Sequence, residues 1–215
     1  MKRMTIIIPA LLLGISVTGI TVSQAFAQSN SNASTSSFWQ SDGYGGMMGG
    51  FAGNIQSVKA ADAIEVVKTS LRHVSVDKAK NTIIYKGKTV KIVALGGAMD
   101  NSKSGPAEKF IIGGLTNPTV QIPKGAKVTL ELINEDTDMP HGMEITNAQP
   151  PYGYMSMMQG GIFPATFIPP IPAASSSSYP VATTTFTATQ SGTFHYICEY
   201  PGHAAEGMYG KLIIK

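Results

Sequence analysis

The chain has few of the residues on which several large classes of protein depend. It contains one cysteine in 215 residues, so no disulfide can form within it. Only 13% of its residues are charged and no run of lysine or arginine occurs, which argues against binding to nucleic acid. With 43% hydrophobic residues, the chain is long enough and apolar enough for one sizeable globular core.

The N-terminus has the composition of a secretory signal. Lys2 and Arg3 precede an almost wholly apolar stretch at 6–20, and the Ala-Phe-Ala sequence at 25–27 is a cleavage pattern. We therefore predict that residues 1–27 are a signal peptide and that the mature protein is periplasmic or otherwise extracytoplasmic. The apolar stretch is close to the length of a membrane span, so an uncleaved anchor is the alternative and the only predicted link to a membrane.

Residues 28–56 are predicted to be a flexible lead-in. A polar segment rich in Ser and Asn comes first, and residues 43–53 then contain six glycines together with Met47 and Met48. Thioether sulfur binds soft metal ions, so transient contact with Cu(I) is the alternative role of these methionines.

Residues 57–215 read as one domain that begins with a helix and continues as strands. Ser57 is a plausible N-cap for a helix over 58–71, in which apolar residues recur at helical spacing: Val58, Ala61, Ile64, Val67 and Leu71. Strand patterns follow at 82–85, 89–95, 110–112, 119–122, 127–132, 141–145, 179–189, 193–198 and 210–215. His73 follows the helix in a polar context, and we expect it to be solvated.

The only cysteine lies in a loop that also carries a histidine and a methionine. Cys198, His203 and Met208 follow one another at intervals of five residues, in a segment whose Pro and Gly residues indicate a turning loop. A buried cysteine or methionine alone is usually a packing residue. Together with a second imidazole, however, these three side chains make the His, His, Cys and axial Met set of blue-copper electron-transfer sites.

Strand alternation predicts which neighbouring residues reach that site. In the strand at 193–198, Cys198 shares a face with Phe194 and Tyr196, so His195 points away from the metal. In the strand at 141–145, His141 points inward and Glu144 outward. His141 is therefore the candidate for the second imidazole.

Between these strands, residues 147–172 form a long segment rich in Pro, Met and aromatic residues. We predict that it packs over one end of the sheet.

These motifs resemble those of the rusticyanins, blue-copper cupredoxins of acidophilic iron-oxidising microbes. The resemblance covers roughly residues 57–215, and its sharpest part is the Pro-Gly-His-Ala-Ala sequence at 201–205 followed by Gly207-Met208. Further matches are Tyr85-x-Gly87-Lys88, Asn117-Pro118-Thr119, Ile122-Pro123, Ile133-Asn134, Pro150-Pro151-Tyr152 and Tyr196-x-Cys198. The resemblance implies an all-β, cupredoxin-like Greek-key β-sandwich with an N-terminal helical extension. It also implies one type 1 copper held by His141, Cys198, His203 and Met208.

One position departs from the family pattern. Rusticyanins carry a hydroxyl side chain directly after the first histidine ligand, whereas this chain has Gly142. We expect that a hydrogen bond near the thiolate is missing or replaced, which bears on the reduction potential because outer contacts tune a metal site.

The predicted function is that of an electron carrier rather than an enzyme. The resemblance implies single-electron transfer in an iron-oxidising respiratory chain by a monomer. The expected partners of the protein are redox proteins such as c-type cytochromes or a terminal oxidase, which would dock at an apolar patch around His203. Copper oxidases and nitrite reductases need more ligands than the two remaining histidines offer. Copper storage or delivery is the alternative function, and its support is the methionines: Met47, Met48, Met155, Met157 and Met158.

Overall fold

The structure is a computed structural model that describes residues 55–72, 74–97, 108–156 and 165–215. The predicted signal peptide, nearly all of the predicted lead-in, His73 and the methionines at 47, 48, 157 and 158 lie outside these ranges. Among the described residues, no helix has the length and apolar character needed to span a membrane.

Thirteen strands form two sheets in the described part of the chain. The six-stranded sheet has the spatial order β1 (Gln56–Lys59), β11 (Ser178–Thr187), β8 (Lys127–Asn134), β4 (Thr89–Gly96), β5 (Phe110–Ile112) and β6 (Leu115–Thr116). The seven-stranded sheet has the order β10 (Phe167–Ile171), β9 (His141–Thr146), β12 (Gly192–Ile197), β13 (Tyr209–Ile214), β7 (Thr119–Ile122), β3 (Thr82–Tyr85) and β2 (Val74–Asp77). Most pairs are antiparallel, but β4–β8, β7–β13 and β3–β7 are parallel.

The main core lies between the two sheets and follows from strand alternation. Val128, Leu130 and Leu132 of β8 are buried there together with Phe194 and Tyr196 of β12, as predicted for both strands. The Tyr196 hydroxyl, buried with its ring, donates a hydrogen bond to the Pro118 carbonyl at 2.6 Å. The architecture is thus the predicted all-β sandwich preceded by a helix.

The helix is shorter than predicted and buries a different face. Helix α1 spans Ala60–Ser70, with Lys59 at its N-cap, and the predicted cap Ser57 belongs to strand β1 instead. Ala63 is its buried residue and packs on Val93 and Ile133, on the outer side of the six-stranded sheet. Ile64, one of the residues that define the predicted apolar stripe, is 60% exposed. The prediction was wrong because the sheet, rather than the helical periodicity alone, decides which stripe is covered.

Four short strands were not predicted, and two of them form through pairing with a distant segment. β1 pairs with β11 and β10 pairs with β9. The other two pair with a neighbour in the chain, β2 with β3 and β6 with β5. Part of the segment predicted to cover the sheet at 147–172 is therefore an edge strand of that sheet. Pro169 and Pro170 lie in β10, as expected of prolines in an edge strand, where one side of the backbone needs no partner.

Two adjacent strands of the seven-stranded sheet position the predicted ligands. β9 pairs with β12 in a register that sets Tyr196 opposite Ile145, and β12 pairs with β13 as a hairpin around the Cys198 loop. The start of β9 and the end of β12 therefore meet at one end of the sandwich.

Candidate metal centre

His141 enters the site from the first position of β9. All six residues of β9 are buried, and the His141 side chain is fully buried. The strand follows a loop from Asn134, whose side-chain amide donates to the carbonyls of Met139 and Pro172 at 2.9 and 2.8 Å. These bonds fix the loop, and with it the entry of His141 into the site.

The loop after β12 brings Cys198, His203 and Met208 together through its own backbone. The Met208 N–H donates to the His203 carbonyl at 2.8 Å, and the Cys198 N–H donates to the Met208 carbonyl at 3.0 Å. Gly202 and Gly207 have φ angles of +88° and +107°, which side chains disfavour, so the two glycines permit the turns. Cys198 and Met208 are fully buried and His203 is 5% exposed.

Three donor atoms of the predicted set converge on one point. The Cys198 Sγ atom lies 3.8 Å from His141 Nδ1 and 3.6 Å from His203 Nδ1. All three donors lie within 4.8 Å of one another. A thiol with two ring nitrogens at this spacing fits the trigonal part of a blue-copper site.

Burial favours the neutral form of each of these donors. It raises the pKa of Cys198 to about 12, although backbone N–H groups of Tyr200 and Gly142 act in the opposite direction. Burial and the neighbouring His141 lower the pKa of His203 to about 4, and burial also lowers the pKa of His141. Neutral imidazoles are ready to coordinate, whereas the thiol must lose its proton, so metal binding releases a proton.

His195 faces away from this cluster, as predicted. Its ring lies 6.3 Å, centroid to centroid, from each of the rings of Tyr152 and Tyr209. Those aromatic residues pack on the other side of β12, so His195 is a buried histidine outside the ligand set.

Comparison with known proteins agrees with this geometry. Residues 115–215 match the family of copper binding proteins described as plastocyanin/azurin. The chain is 34% identical to rusticyanin from Acidithiobacillus ferridurans over 170 residues, which are 79% of this chain and 87% of that protein. This chain belongs to the rusticyanin family.

Further relatives support the same assignment. Rusticyanin from Acidithiobacillus ferrooxidans is 35% identical over 149 residues, or 69% of this chain and 91% of the relative. A solved structure of rusticyanin from Thiobacillus ferrooxidans has a TM-score of 0.62 at 30% identity, covering 75% of this chain and 97% of that one. As a member of the rusticyanin family, the chain is a copper-binding electron carrier and not an enzyme.

Gly142 is closely packed in this member of the rusticyanin family. A Cβ atom at this position would lie 2.9 Å from each of three atoms, namely Glu199 Cβ, Ile168 O and Pro170 N. No side chain can enter without moving strand β10. The backbone N–H of Gly142 acts to lower the pKa of the Cys198 thiol, so a main-chain donor lies near the sulfur although position 142 has no hydroxyl.

Glu144 points away from the main core, as predicted, but it is not exposed to solvent. It is 2% exposed and meets the fully buried Glu199. Burial, and after it the neighbouring Glu144 carboxyl, raises the pKa of Glu199 to about 10, so Glu199 favours its protonated form. Burial also raises the pKa of Glu144. Strand alternation predicted the correct face for Glu144, but it could not show that β10 and the Cys198 loop cover that face.

Two acidic residues beside His141 were missed entirely. Asp136 and Glu108 have carboxylate oxygens 3.1 and 3.4 Å from His141 Nε2, on the side of the ring that faces away from Cys198. Asp136 lies five residues before His141, and this spacing alone does not show that the two side chains meet. Glu108 comes from a distant segment and gave no local signal.

Proposed function

We propose that His141, Cys198, His203 and Met208 bind one type 1 copper ion through which the chain passes single electrons. The convergence of the first three donors within 4.8 Å in a buried site carries this proposal. Met208 would complete the set as the fourth ligand, because its N–H and carbonyl are hydrogen-bonded to His203 and Cys198 and its side chain is fully buried. Bound copper supplies the one-electron couple, and the residues supply a fixed cage.

The cage favours a high reduction potential. Sulfur ligands stabilise Cu(I), and an apolar surround penalises the more highly charged Cu(II) state. The closed backbone of the 198–208 loop keeps the donors in place in both states, so little rearrangement accompanies each transfer.

The physiological role we propose is electron transfer in the iron-oxidising respiratory chain of an acidophile. The chain would act as a monomer in the periplasm or elsewhere outside the cytoplasmic membrane, after cleavage of residues 1–27. The support for this role is that the relatives from two Acidithiobacillus species are both named rusticyanin. Buried carboxyls at Glu144 and Glu199, which favour the protonated form, suit an acidic exterior.

Electrons would leave and enter through a surface beside His203. The His203 ring packs on Tyr200 with centroids 4.7 Å apart, and Tyr154 and Met155 are 68% and 43% exposed. The Gly202 N–H donates to the Tyr154 carbonyl at 2.8 Å, which holds these exposed residues against the copper loop. We call Tyr154, Met155 and Tyr200 the loop patch. A redox protein such as a c-type cytochrome or a terminal oxidase would dock there through a small transient interface.

Copper storage or delivery fits the site less well. A delivery protein must hand over its metal, so its ligands need to be reached by the acceptor. Cys198, His141 and Met208 are fully buried, which favours retention of the metal during rapid redox cycling.

The test is a visible and EPR spectrum of the copper-loaded protein, with Cys198→Ser as the matched variant. We expect an intense thiolate-to-copper band in the wild type and its loss in a folded Cys198→Ser protein. An intensely blue Cys198→Ser variant would overturn the ligand assignment.

The location is tested by the mass of the protein isolated from its native source. A mature chain that begins near Gln28 supports secretion. Retention of residues 1–27 in the membrane fraction would establish the anchor instead.

A further inference from the structure

The outer nitrogen of His141 is held by a buried carboxylate. His141 Nδ1 faces the Cys198 sulfur, so the ring must carry its proton on Nε2 when Nδ1 binds a metal. Nε2 lies 3.1 Å from Asp136 Oδ2. His141 therefore donates a hydrogen bond to Asp136, and both residues are buried.

Asp136 itself is fixed by the loop that precedes β9. Its Oδ1 atom accepts hydrogen bonds from the N–H groups of Asp138 and Met139 at 2.7 and 3.2 Å. Its own N–H donates to Asn134 Oδ1 at 3.0 Å, and its carbonyl accepts from the Ala174 N–H at 2.6 Å. With one carboxylate oxygen bound to the backbone and the other facing His141, the carboxylate has a single orientation.

The backbone of Gly97 closes over the His141–Asp136 pair. A Cβ at position 97 would lie 2.3 Å from Asp136 Cβ and 2.9 Å from His141 Nε2, and the φ angle of +91° also requires glycine. The close approach leaves no room for water on this side of the hydrogen bond. In such a site a fixed charge acts more strongly than it would in water.

We propose that Asp136 is a positioning residue that holds the His141 ring and, through its negative charge, stabilises Cu(II) relative to Cu(I). A carboxylate partner makes a metal-bound imidazole a stronger donor, and the more positive copper state gains more from that donor. Asp136 therefore lowers the reduction potential, against the raising effect of the sulfur ligands. This inference rests on copper binding at the site proposed above.

Asp136→Asn tests the proposal, because it removes the charge while conserving size. The amide oxygen can accept from His141 or from the backbone N–H groups, but its NH₂ group cannot replace the second carboxylate oxygen. We expect Cu(II) affinity to fall about tenfold, within the range found for such partners. With Cu(I) affinity nearly unchanged, the potential should rise by ~59 mV, the equivalent of that tenfold change for one electron.

Asp138→Asn is the matched control. It removes the same charge from the same loop, but Asp138 is exposed and solvent screens it. The ratio of Cu(II) to Cu(I) affinity should change by less than about twofold, since a screened surface charge contributes little. Equal shifts in the two variants, or an unchanged or lower potential in Asp136→Asn with its copper spectrum intact, would overturn the proposal.

A measurement on the unaltered protein covers the case in which Asp136→Asn does not fold. In the diamagnetic Cu(I) form, nitrogen-edited NMR should show a His141 Nε2–H proton that exchanges slowly with water. A rapidly exchanging or missing His141 Nε2–H would contradict the bond to Asp136. Failure of the wild-type chain to bind copper would instead refute the proposed function, so the two failures are distinguishable.

Discussion

The two imidazoles of the site have opposite surroundings. His141 lies on what we call the strand side, where Asp136 and Asn134 anchor it and the backbone of Gly97 covers it. His203 lies on the loop side, where its ring packs on the half-buried Tyr200 beside the exposed Tyr154. One histidine is bonded to a fixed interior charge, and the other is in contact with residues that a second protein can touch.

An electron carrier must both set the potential of its metal and pass electrons to a partner. The two surroundings assign these tasks to different sides of the site. The strand side sets the affinity and the potential, because its contacts are buried and unscreened. We expect the loop side to transmit the electron, because there the half-buried ring of Tyr200 packs on His203, one of the proposed ligands. Substitutions of residues other than the proposed ligands should therefore alter equilibria on the strand side and rates on the loop side.

The largest expected effect comes from adding atoms on the strand side. Gly142→Ser places a Cβ within 2.9 Å of Glu199 Cβ and of two backbone atoms of β10, so the strand must move. We expect a loss of ~1–3 kcal/mol in the free energy of unfolding, the usual cost of overpacking. Denaturant unfolding of the copper-free protein measures it.

Gly153→Ser is the loop-side control for this experiment. Gly153 is exposed and a Cβ there would meet no atom within 4 Å. Its effect should stay within ~0.5 kcal/mol, as for most surface substitutions. Equal destabilisation by the two serines would break the contrast between the sides.

The axial ligand offers an equilibrium test within the 198–208 loop. Met208→Gln exchanges a soft thioether for a harder amide oxygen, which favours Cu(II) and should lower the potential. A tenfold change in the equilibrium corresponds to ~59 mV, and we expect at least that much. Met155→Gln, at a methionine 43% exposed in the loop patch, should leave the voltammogram unchanged. A shift in Met155→Gln alone would move the axial assignment to Met155.

The buried carboxyl pair predicts a stability that falls as the pH rises. The pKa of Glu199 is raised to about 10 in the folded protein, above its ordinary value near 4.5. Its contribution is thus fully present in acid and is lost progressively from about pH 4.5 to about pH 10, with a slope of at most ~1.4 kcal/mol per pH unit. Glu199→Gln cannot titrate and should flatten the curve over that window.

The comparison of unfolding free energies at pH 4 and pH 7 isolates this effect. Groups common to both proteins, such as His203 and Glu108, cancel in the difference between wild type and Glu199→Gln. A difference that does not vary with pH would show that Glu199 is not buried in its neutral form.

The smallest expected effect concerns a rate on the loop side. Tyr154→Ser removes an exposed ring from the loop patch without touching a ligand. We expect second-order electron exchange with a c-type cytochrome to slow about fivefold, equivalent to the ~1 kcal/mol that a contributing interface residue supplies. The potential should not change. Ile64→Ser removes an exposed apolar side chain from α1 and should leave the rate unaltered.

The ligand set was predictable from the sequence because its signals are local. Cys198, His203 and Met208 lie in one turning loop, and strand alternation gave the correct facing of His141 and His195. Most strands were predicted for the same reason. The bounds of β3, β5 and β7 match the prediction, and those of the other predicted strands differ by one or two residues, as at β8, which continues to Asn134.

The parts that could not be predicted depend on which distant segments meet. β10 exists because it pairs with β9, and its presence is what buries Glu144 and closes the space at Gly142. Asp136 was visible in the sequence, but its bond to His141 depends on the conformation of the intervening loop. Propensity and periodicity contain no information about such contacts, which the tertiary fold decides.

The short spacing of the proposed donors in the 198–208 loop has a consequence for the unfolded chain. Three of the four proposed donors lie within eleven residues, so a denatured chain still presents them as a local chelate, whereas His141 is 57 residues from Cys198. A metal that binds both states stabilises the fold by less than its affinity for the native site would give. Copper therefore stabilises the fold only by the difference between its affinity for the native site and its affinity for the unfolded chain. We expect His141, on its anchored strand, to supply most of that difference.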